Sequence, residues 1–294
     1  MLRCRGLIVF FAAIGWAGAI RATTLAEAQD LYQTKRYAEA RTAFEQVLVA
    51  EPGNAEAAYC LGTLALMRDD PPDAVRWLEK AATLVPDSSP YARTLGDAYG
   101  LSAGKAGLFS KFGFAQKCLA AYERSVALDP KSISARYSLF AFYRQVPAIA
   151  GGGLDKARTQ ALEIKKLDLV RGTLALAELS FAEKKYDEAF ASLEDLRRQH
   201  PEALDADYQI GRVAVASGAR LDVGEAALRE YLGHTPRDDQ PPLWAAHWRL
   251  GQIMEKRGDP GRARVEYEAA LKLNPTQPQL IDALKKLPPP SVGR

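Results

Sequence analysis

The sequence predicts an all-α solenoid of about seven helix–turn–helix units closed by a C-terminal cap helix, on four recurring marks. Proline recurs at Pro52, Pro86, Pro130, Pro201, Pro236 and Pro275. Twelve residues before each stands a small side chain: Ala40, Ala74, Cys118, Ala189, Gly224 and Ala263. Eight before each stands a bulky one: Phe44, Leu78, Tyr122, Leu193, Leu228 and Tyr267. Ahead of these, Leu61-Gly62, Leu95-Gly96, Ile210-Gly211 and Leu250-Gly251 each pair a core residue with a glycine.

The small and bulky positions differ by four, so they share one face of a helix. The small residue admits a neighbouring helix and the bulky one fills the gap beside it. Proline then stops the helix and biases the residue before it out of the helical region. Glycine inside a helix costs up to about 1 kcal/mol relative to alanine, so its recurrence predicts close backbone packing.

Residues 1–22 read as a secretory signal. The leader MLRCR precedes an apolar run from Gly6 to Ile20, whose 15 residues fall short of the roughly 20 that span a bilayer. Ala17, Ala19 and Ala22 offer small-residue cleavage sites, so the mature chain is expected to begin near Ile20 or Thr23. An uncleaved N-terminal anchor is the alternative. Cys4 precedes the run and is not placed as a lipobox cysteine.

The units are expected at about 23–54, 55–88, 89–131, 132–169, 170–203, 204–242 and 243–275, with a cap at 276–287 and a flexible tail at 288–294. Departures from the period mark insertions. Pro52 to Pro86 spans 34 residues but Pro86 to Pro130 spans 44, which places ten extra residues near KAGLFSKFGF. The fourth unit lacks the terminal proline and carries a second insertion at QVPAIAGGGL. RDDQPP adds a turn before the last unit. No linker or composition shift marks a second domain.

This pattern resembles the tetratricopeptide repeat, most clearly in NAEAAYCLGTLALMRDDPPDAVRWLEKAATLVP and LWAAHWRLGQIMEKRGDPGRARVEYEAALKLNP, and the resemblance covers about residues 23–275. The two insertions resemble a subgroup of exported bacterial tetratricopeptide proteins that pair an LFSK-type loop with an FYxxxPxxxGG stretch. The match is carried by Leu108, Phe109, Ser110, Lys111, Phe142, Tyr143, Pro147, Gly151, Gly152 and Lys156. The resemblance implies a right-handed superhelix, a cell-envelope setting of the Gram-negative, periplasmic kind, and no defined reaction.

Composition excludes several function classes. The formal charge is +3, and Arg3, Arg5 and Arg21 supply all of that excess. Without residues 1–22 the chain has 36 basic and 36 acidic residues, which argues against a nucleic-acid partner or a broad anionic-membrane surface and leaves room for a local patch. Three cysteines do not make a disulfide scaffold, and His200, His234 and His247 share no metal-ligand spacing. No cofactor pattern is present. GLSAGKA has the wrong spacing for a phosphate loop and GGGLDKA lacks the motif, so both read as inter-helix turns. Cys60 and Cys118 have no histidine in their units; they read as structural thiols on different helices, not bonded to each other.

In the resembled fold the first helices line a concave groove. Aligned on the Leu-Gly pair, Tyr59, Arg93, Tyr137, Tyr208 and Trp248 face inward from two residues before it. Asp97 and Arg212 follow from two residues after it, and Arg144 lies a turn further on. Tyr, Trp and Arg are the types enriched at binding hot spots, although aromatic stripes are also often core. No lysine–asparagine carboxylate clamp is found.

Leu108, Phe109, Phe112 and Phe114 of the first insertion would each forgo roughly 1.5–3 kcal/mol if left in water. They are expected to pack as a plug near Phe140 or Phe142; an exposed partner-binding hook is the alternative. The functional expectation is a non-catalytic exported scaffold that binds a protein or peptide partner in its groove and organises an envelope assembly. The rivals are a subunit of an obligate envelope complex and a solenoid-based envelope hydrolase, for which the repeats leave no spare catalytic domain.

Overall fold

The computed structural model describes residues 23–289, and the expected signal at 1–22 and most of the expected tail lie outside that range. The described residues contain fifteen α-helices and no strand. The chain divides into two compact units, one ending at Pro86 and one beginning at Asp87.

The first unit holds two antiparallel-type helix pairs, α1 (Leu25–Gln33) with α2 (Tyr37–Ala50) and α3 (Ala55–Met67) with α4 (Pro71–Leu84). Three of the four starts are written in the sequence as side-chain caps, and α2 begins at Arg36 without one. Thr24 and Glu27 form a reciprocal capping box on α1, and Asn54 accepts from the Ala57 amide on α3. Asp70 caps α4 with Pro71 at its first turn, where the missing N–H costs nothing. Ala40, Phe44, Ala74 and Leu78 are wholly buried.

The second unit continues the pairing: α5 (Ser89–Lys105) with α6 (Leu108–Leu128), α7 (Ile133–Gln145) with α8 (Leu154–Leu167), and α9 (Leu169–Ala182) with α10 (Tyr186–Gln199). Then come α11 (Leu204–Ser217) with α12 (Leu221–Leu232), α13 (Leu243–Lys256) with α14 (Pro260–Leu273), and the terminal α15 (Pro278–Lys286), which packs on α14. Leu280 of α15 is fully buried, so this helix covers the apolar end of the stack.

The small and bulky positions do what their spacing demands. Every one of them is buried. The glycines of the first helices are what those bulky side chains rest on. A Cβ at Gly62 would stand 2.4 Å from Leu78 Cγ, one at Gly96 2.5 Å from the Tyr122 ring, and one at Gly251 2.3 Å from the Tyr267 ring.

The first insertion is not a loop. It is wound into the hairpin, so that α5 has 17 residues and α6 has 21, where most helices of the unit have 12 to 14. The Leu108 side chain lies outside the described residues. Phe109 is 97% exposed, Phe112 is 53% exposed and Phe114 is half-buried, which overturns the expected plug for the first two. Phe140 and Phe142 are buried without them, Phe142 being packed edge-on against Tyr122 and Tyr143. A hairpin one to two turns longer than its neighbours has only its own two helices to pack on at the tip.

The second insertion forms a tight turn through a single 3-10 segment, Ala148–Ala150. Gly151 and Gly153 take φ of 95° and 127°, which side chains rarely tolerate. The amides of Gly151, Gly152 and Gly153 donate to Ala148, Pro147 and Tyr143 carbonyls, so none is left to cradle an anion. The glycine–lysine string is a turn for this reason: Lys156 Nζ closes it with a bond to the Gly151 carbonyl at 3.0 Å.

One buried acid gives the fold a pH signature. Asp207 of α11 is 2% exposed, and burial pushes its carboxyl up to about 6 against the pull of Arg197 at 2.8 Å. A carboxyl that holds its proton more tightly folded than unfolded contributes stability below about pH 4, and that stability is lost as pH rises through about 6. Relative to Asp207→Asn, the natural protein should therefore lose up to about 2–3 kcal/mol between pH 4 and 6. Denaturant titration of both proteins at several pH values checks this; parallel profiles would show that the carboxyl ionises normally in the fold.

Candidate functional site

Four of the sequence-selected residues, Tyr137, Arg144, Arg212 and Trp248, lie on one face of the second unit, carried by α7, α11 and α13, with α9 between them. Tyr137 of α7 is 41% exposed and donates from Oη to Glu178 Oε1 of α9 at 3.2 Å. Arg144, two turns along α7, brings its Nε to 3.6 Å from Glu178 Oε2, too long for a hydrogen bond. That Nε is buried and has no hydrogen-bond partner. Arg212 of α11 spends Nη1 on Gln209 of its own helix at 2.6 Å.

Each arginine lies against an aromatic ring. The Arg144 guanidinium stands 5.8 Å from the Phe140 centroid, Arg212 stands 4.9 Å from Phe181 of α9, and Arg249 of α13 stands 4.6 Å from Trp248. Such stacking fixes a guanidinium plane and leaves its edge donors aimed outward. Trp248 in turn stacks on Trp244, with centroids 6.4 Å apart and an interplanar angle of 28°. Arg249 holds Gln252 at 2.8 Å, and its own Nε is a second buried nitrogen without a partner.

The charges that act on Arg212 are one acid, Glu178, and two further arginines, Arg144 and Arg249. Burial lowers the Arg212 guanidinium below its ordinary range, and Glu178 opposes that shift. Three half-buried guanidiniums with one carboxylate among them form a positive field that a ligand carboxylate or another acceptor would satisfy.

The other selected residues fall elsewhere. Tyr208 is only 7% exposed and packs its ring 5.6 Å from Tyr231, so it is core and not a contact residue. Arg93 and Asp97 are paired at 2.9 Å along α5, and Asp97 accepts the Tyr122 hydroxyl at 2.8 Å, so both spend their polar atoms inside the α5–α6 hairpin. Tyr59 is half-buried on α3 of the first unit. Cys60 and Cys118 are free thiols, and burial pushes each up to about 12, far from a nucleophilic thiolate. Among the described residues no cluster of His, Cys, Asp or Glu could hold a metal ion, and no helix is long and apolar enough to cross a membrane.

Sequence reasoning missed Glu178, Phe181, Trp244 and Arg249. Glu178 was within reach: Leu176 stands 13 residues before Ala189, as Leu61 stands before Ala74, and Glu178 is two residues after it. Its unit has Ala177 where four others have glycine, which hid the register. Arg249 is adjacent to the aligned leucine, a position that the two-before, two-after rule does not sample.

Comparison with known proteins agrees with the geometry. Residues 25–89, 174–203 and 244–277 match models of the tetratricopeptide repeat. No curated protein matches the chain. Among solved structures, a tetratricopeptide repeat protein from Parabacteroides merdae ATCC 43184 is 16% identical with a TM-score of 0.67, covering 88% of this chain and 95% of that one. Yeast Tom70 is 16% identical with a TM-score of 0.65, over 86% of this chain and 51% of that one. Human IFIT1, solved as a dimer with m7Gppp-AAAA, is 19% identical with a TM-score of 0.60, over 89% and 61%. Over its three matched segments the chain is built of tetratricopeptide repeats, and across most of its length it has the fold of solved tetratricopeptide-repeat proteins.

Proposed function

We propose that the protein is a non-catalytic scaffold that holds a segment of a protein partner against the α7–α9–α11–α13 face. A tetratricopeptide fold suggests a protein-interaction scaffold. The observation that carries the finer reading is the set Arg144, Arg212 and Arg249, each laid on an aromatic ring, with Arg212 acted on by the other two and by the acid Glu178. Aromatic anchors and arginine donors on adjacent helices suit an extended or helical segment that carries carboxylates. Nothing in this arrangement supplies a nucleophile beside a base, which is what a hydrolase of this chain would need.

The setting proposed is the periplasmic side of a bacterial envelope, on the strength of the Arg-rich leader and the short apolar run. The resemblance of both insertions to exported tetratricopeptide proteins points the same way.

The test uses a photo-crosslinking side chain at Ala141, which lies on this face of α7, and at Val265 of α14, which is 63% exposed. Capture of a defined protein at position 141 and not at 265 is expected, and Arg144→Glu should reduce it by about tenfold at a temperature well below the variant's own thermal transition. Equal capture at both positions, or capture indifferent to the charge reversal, would reject the face.

A further inference from the structure

The two insertions, which the arginine face does not use, meet at one end of the second unit. Gln116 Nε2 of α6 donates to the Ala150 carbonyl at 3.2 Å, and a Cβ on Gly151 would stand 2.8 Å from Leu119 Cδ2. The 3-10 segment thus lies across the α6 face that holds Gln116 and Leu119. Phe112 and Phe109 are one and two turns nearer the tip, at spacings of four and seven residues from Gln116, and therefore continue that same face. There the cover ends. Phe109 is 97% exposed and Phe112 is 53% exposed, and Ile149 of the covering segment is 91% exposed.

The charge carried by the two segments themselves has one sign. From Tyr99 to Tyr122 the chain carries Lys105, Lys111 and Lys117 and no aspartate or glutamate, and from Gln145 to Leu154 it carries no charge at all. All three lysines are exposed, and Lys117 lies 5.3 Å from the Tyr99 ring. The nearest carboxylates along the chain are Asp97 and Glu123, on either side of the first segment, and Asp155, which follows the second.

We infer that the α5–α6 tip and the 3-10 segment dock on the surface of an anionic phospholipid bilayer, with Phe109, Phe112 and Ile149 entering the interface and the lysines facing lipid phosphates. Contiguous exposed apolar groups mark an interaction surface. The choice of occupant rests on shape and charge. A projecting hairpin tip offers no groove to enclose a peptide, whereas a deformable bilayer accepts a protruding wedge. Lysine stems lie along apolar surface while their ammonium groups stay at the headgroups, and each one near an anionic leaflet adds to the attraction. The chain's overall balance of 36 bases and 36 acids beyond residue 22 makes this a local device and not a general affinity for anions.

The test is position-specific, so that the apolar N-terminal run common to all variants does not enter it. Tryptophan is introduced in the full chain at Phe109, and separately at Val265, and the fluorescence added over the parent is followed. With vesicles of phosphatidylcholine and phosphatidylglycerol in equal parts, Phe109→Trp should shift to the blue and be quenched by brominated acyl chains several-fold more than Val265→Trp. Adding Lys111→Glu should weaken that quenching about tenfold. Equal quenching at 109 and 265 overturns the inference, as does equal quenching at 109 on phosphatidylcholine alone. A vesicle-free dimer that Phe109→Ser/Phe112→Ser converts to monomer would assign the tip to a second copy of the chain instead.

Discussion

Gly172→Ala is expected to destabilise the protein by about 3 kcal/mol or more, reversing the sign that helix propensity assigns to the change. Gly172 lies in the first turn of α9, and a Cβ there would stand 2.2 Å from Lys165 Cα and 2.3 Å from Lys165 N. Those are backbone atoms of α8, so no side chain can rotate away. Nor can the helices part easily. Asp168 is at once the residue that ends α8 and the cap of α9, with its Oδ1 accepting from the Arg171 amide at 2.9 Å. Relief of the clash must open that one-residue corner, lose the cap, or tilt α9, which carries Glu178 and Phe181 of the arginine face. The melting temperature should fall by roughly 6–12 °C for a protein of this size. Gly113→Ala in α6 is the internal control: nothing lies within 4 Å of its Cβ position, and it should gain up to about 1 kcal/mol. A Gly172→Ala protein that melts with the natural one would show that the α8–α9 corner yields freely.

That corner also shows where the sequence was readable and where it was not. The helix pairs were legible because their contacts are local and repeated: Ala40 with Phe44, or Ala263 with Tyr267, announce a packed face by spacing alone. Pro52 and Pro275 announce the stops. At α8 the terminal proline is missing, and Asp168 ends one helix and begins the next, a device that leaves no periodic mark. The insertions were legible as counts of residues only. Whether ten residues make a loop or lengthen two helices is decided by the absence of proline between Leu101 and Leu119, which confines the break to Ala106 and Gly107, and not by the count. The candidate face was half legible. Tyr137 and Tyr208 occupy equivalent places in the repeat, yet one is 41% exposed and the other 7%, because Tyr231 of α12 closes over Tyr208. A partner supplied by another helix cannot be seen from the position's own period. Nor can the direction of a long side chain such as Arg249, which gains its place by lying on Trp248.

Leu228→Ala should cost about 3–4 kcal/mol, and combining it with Gly211→Ala should cost at least about 1 kcal/mol less than the sum of the two single changes. Leu228 of α12 is wholly buried in the core of the second unit, and its truncation leaves a cavity lined by residues that cannot all collapse into it. The floor of that cavity is Gly211. A Cβ on Gly211 would stand 2.3 Å from Leu228 Cγ and 2.6 Å from both of its methyl carbons, so Gly211→Ala alone overpacks the site and should cost about 1–3 kcal/mol. With Leu228 cut back to its Cβ, the new methyl at 211 enters empty space and recovers part of the lost contact. The two penalties therefore arise from one volume counted with opposite sign. Denaturant unfolding of the four proteins in the cycle measures the coupling, and strict additivity would mean that α11 and α12 adjust independently at this point. The same geometry joins Gly62 to Leu78 and Gly251 to Tyr267, so a coupling found at 211 and 228 should recur at both. It should be larger at Gly251 and Tyr267, because a planar ring resting on a helix backbone has fewer rotamers into which it can retreat than a leucine has.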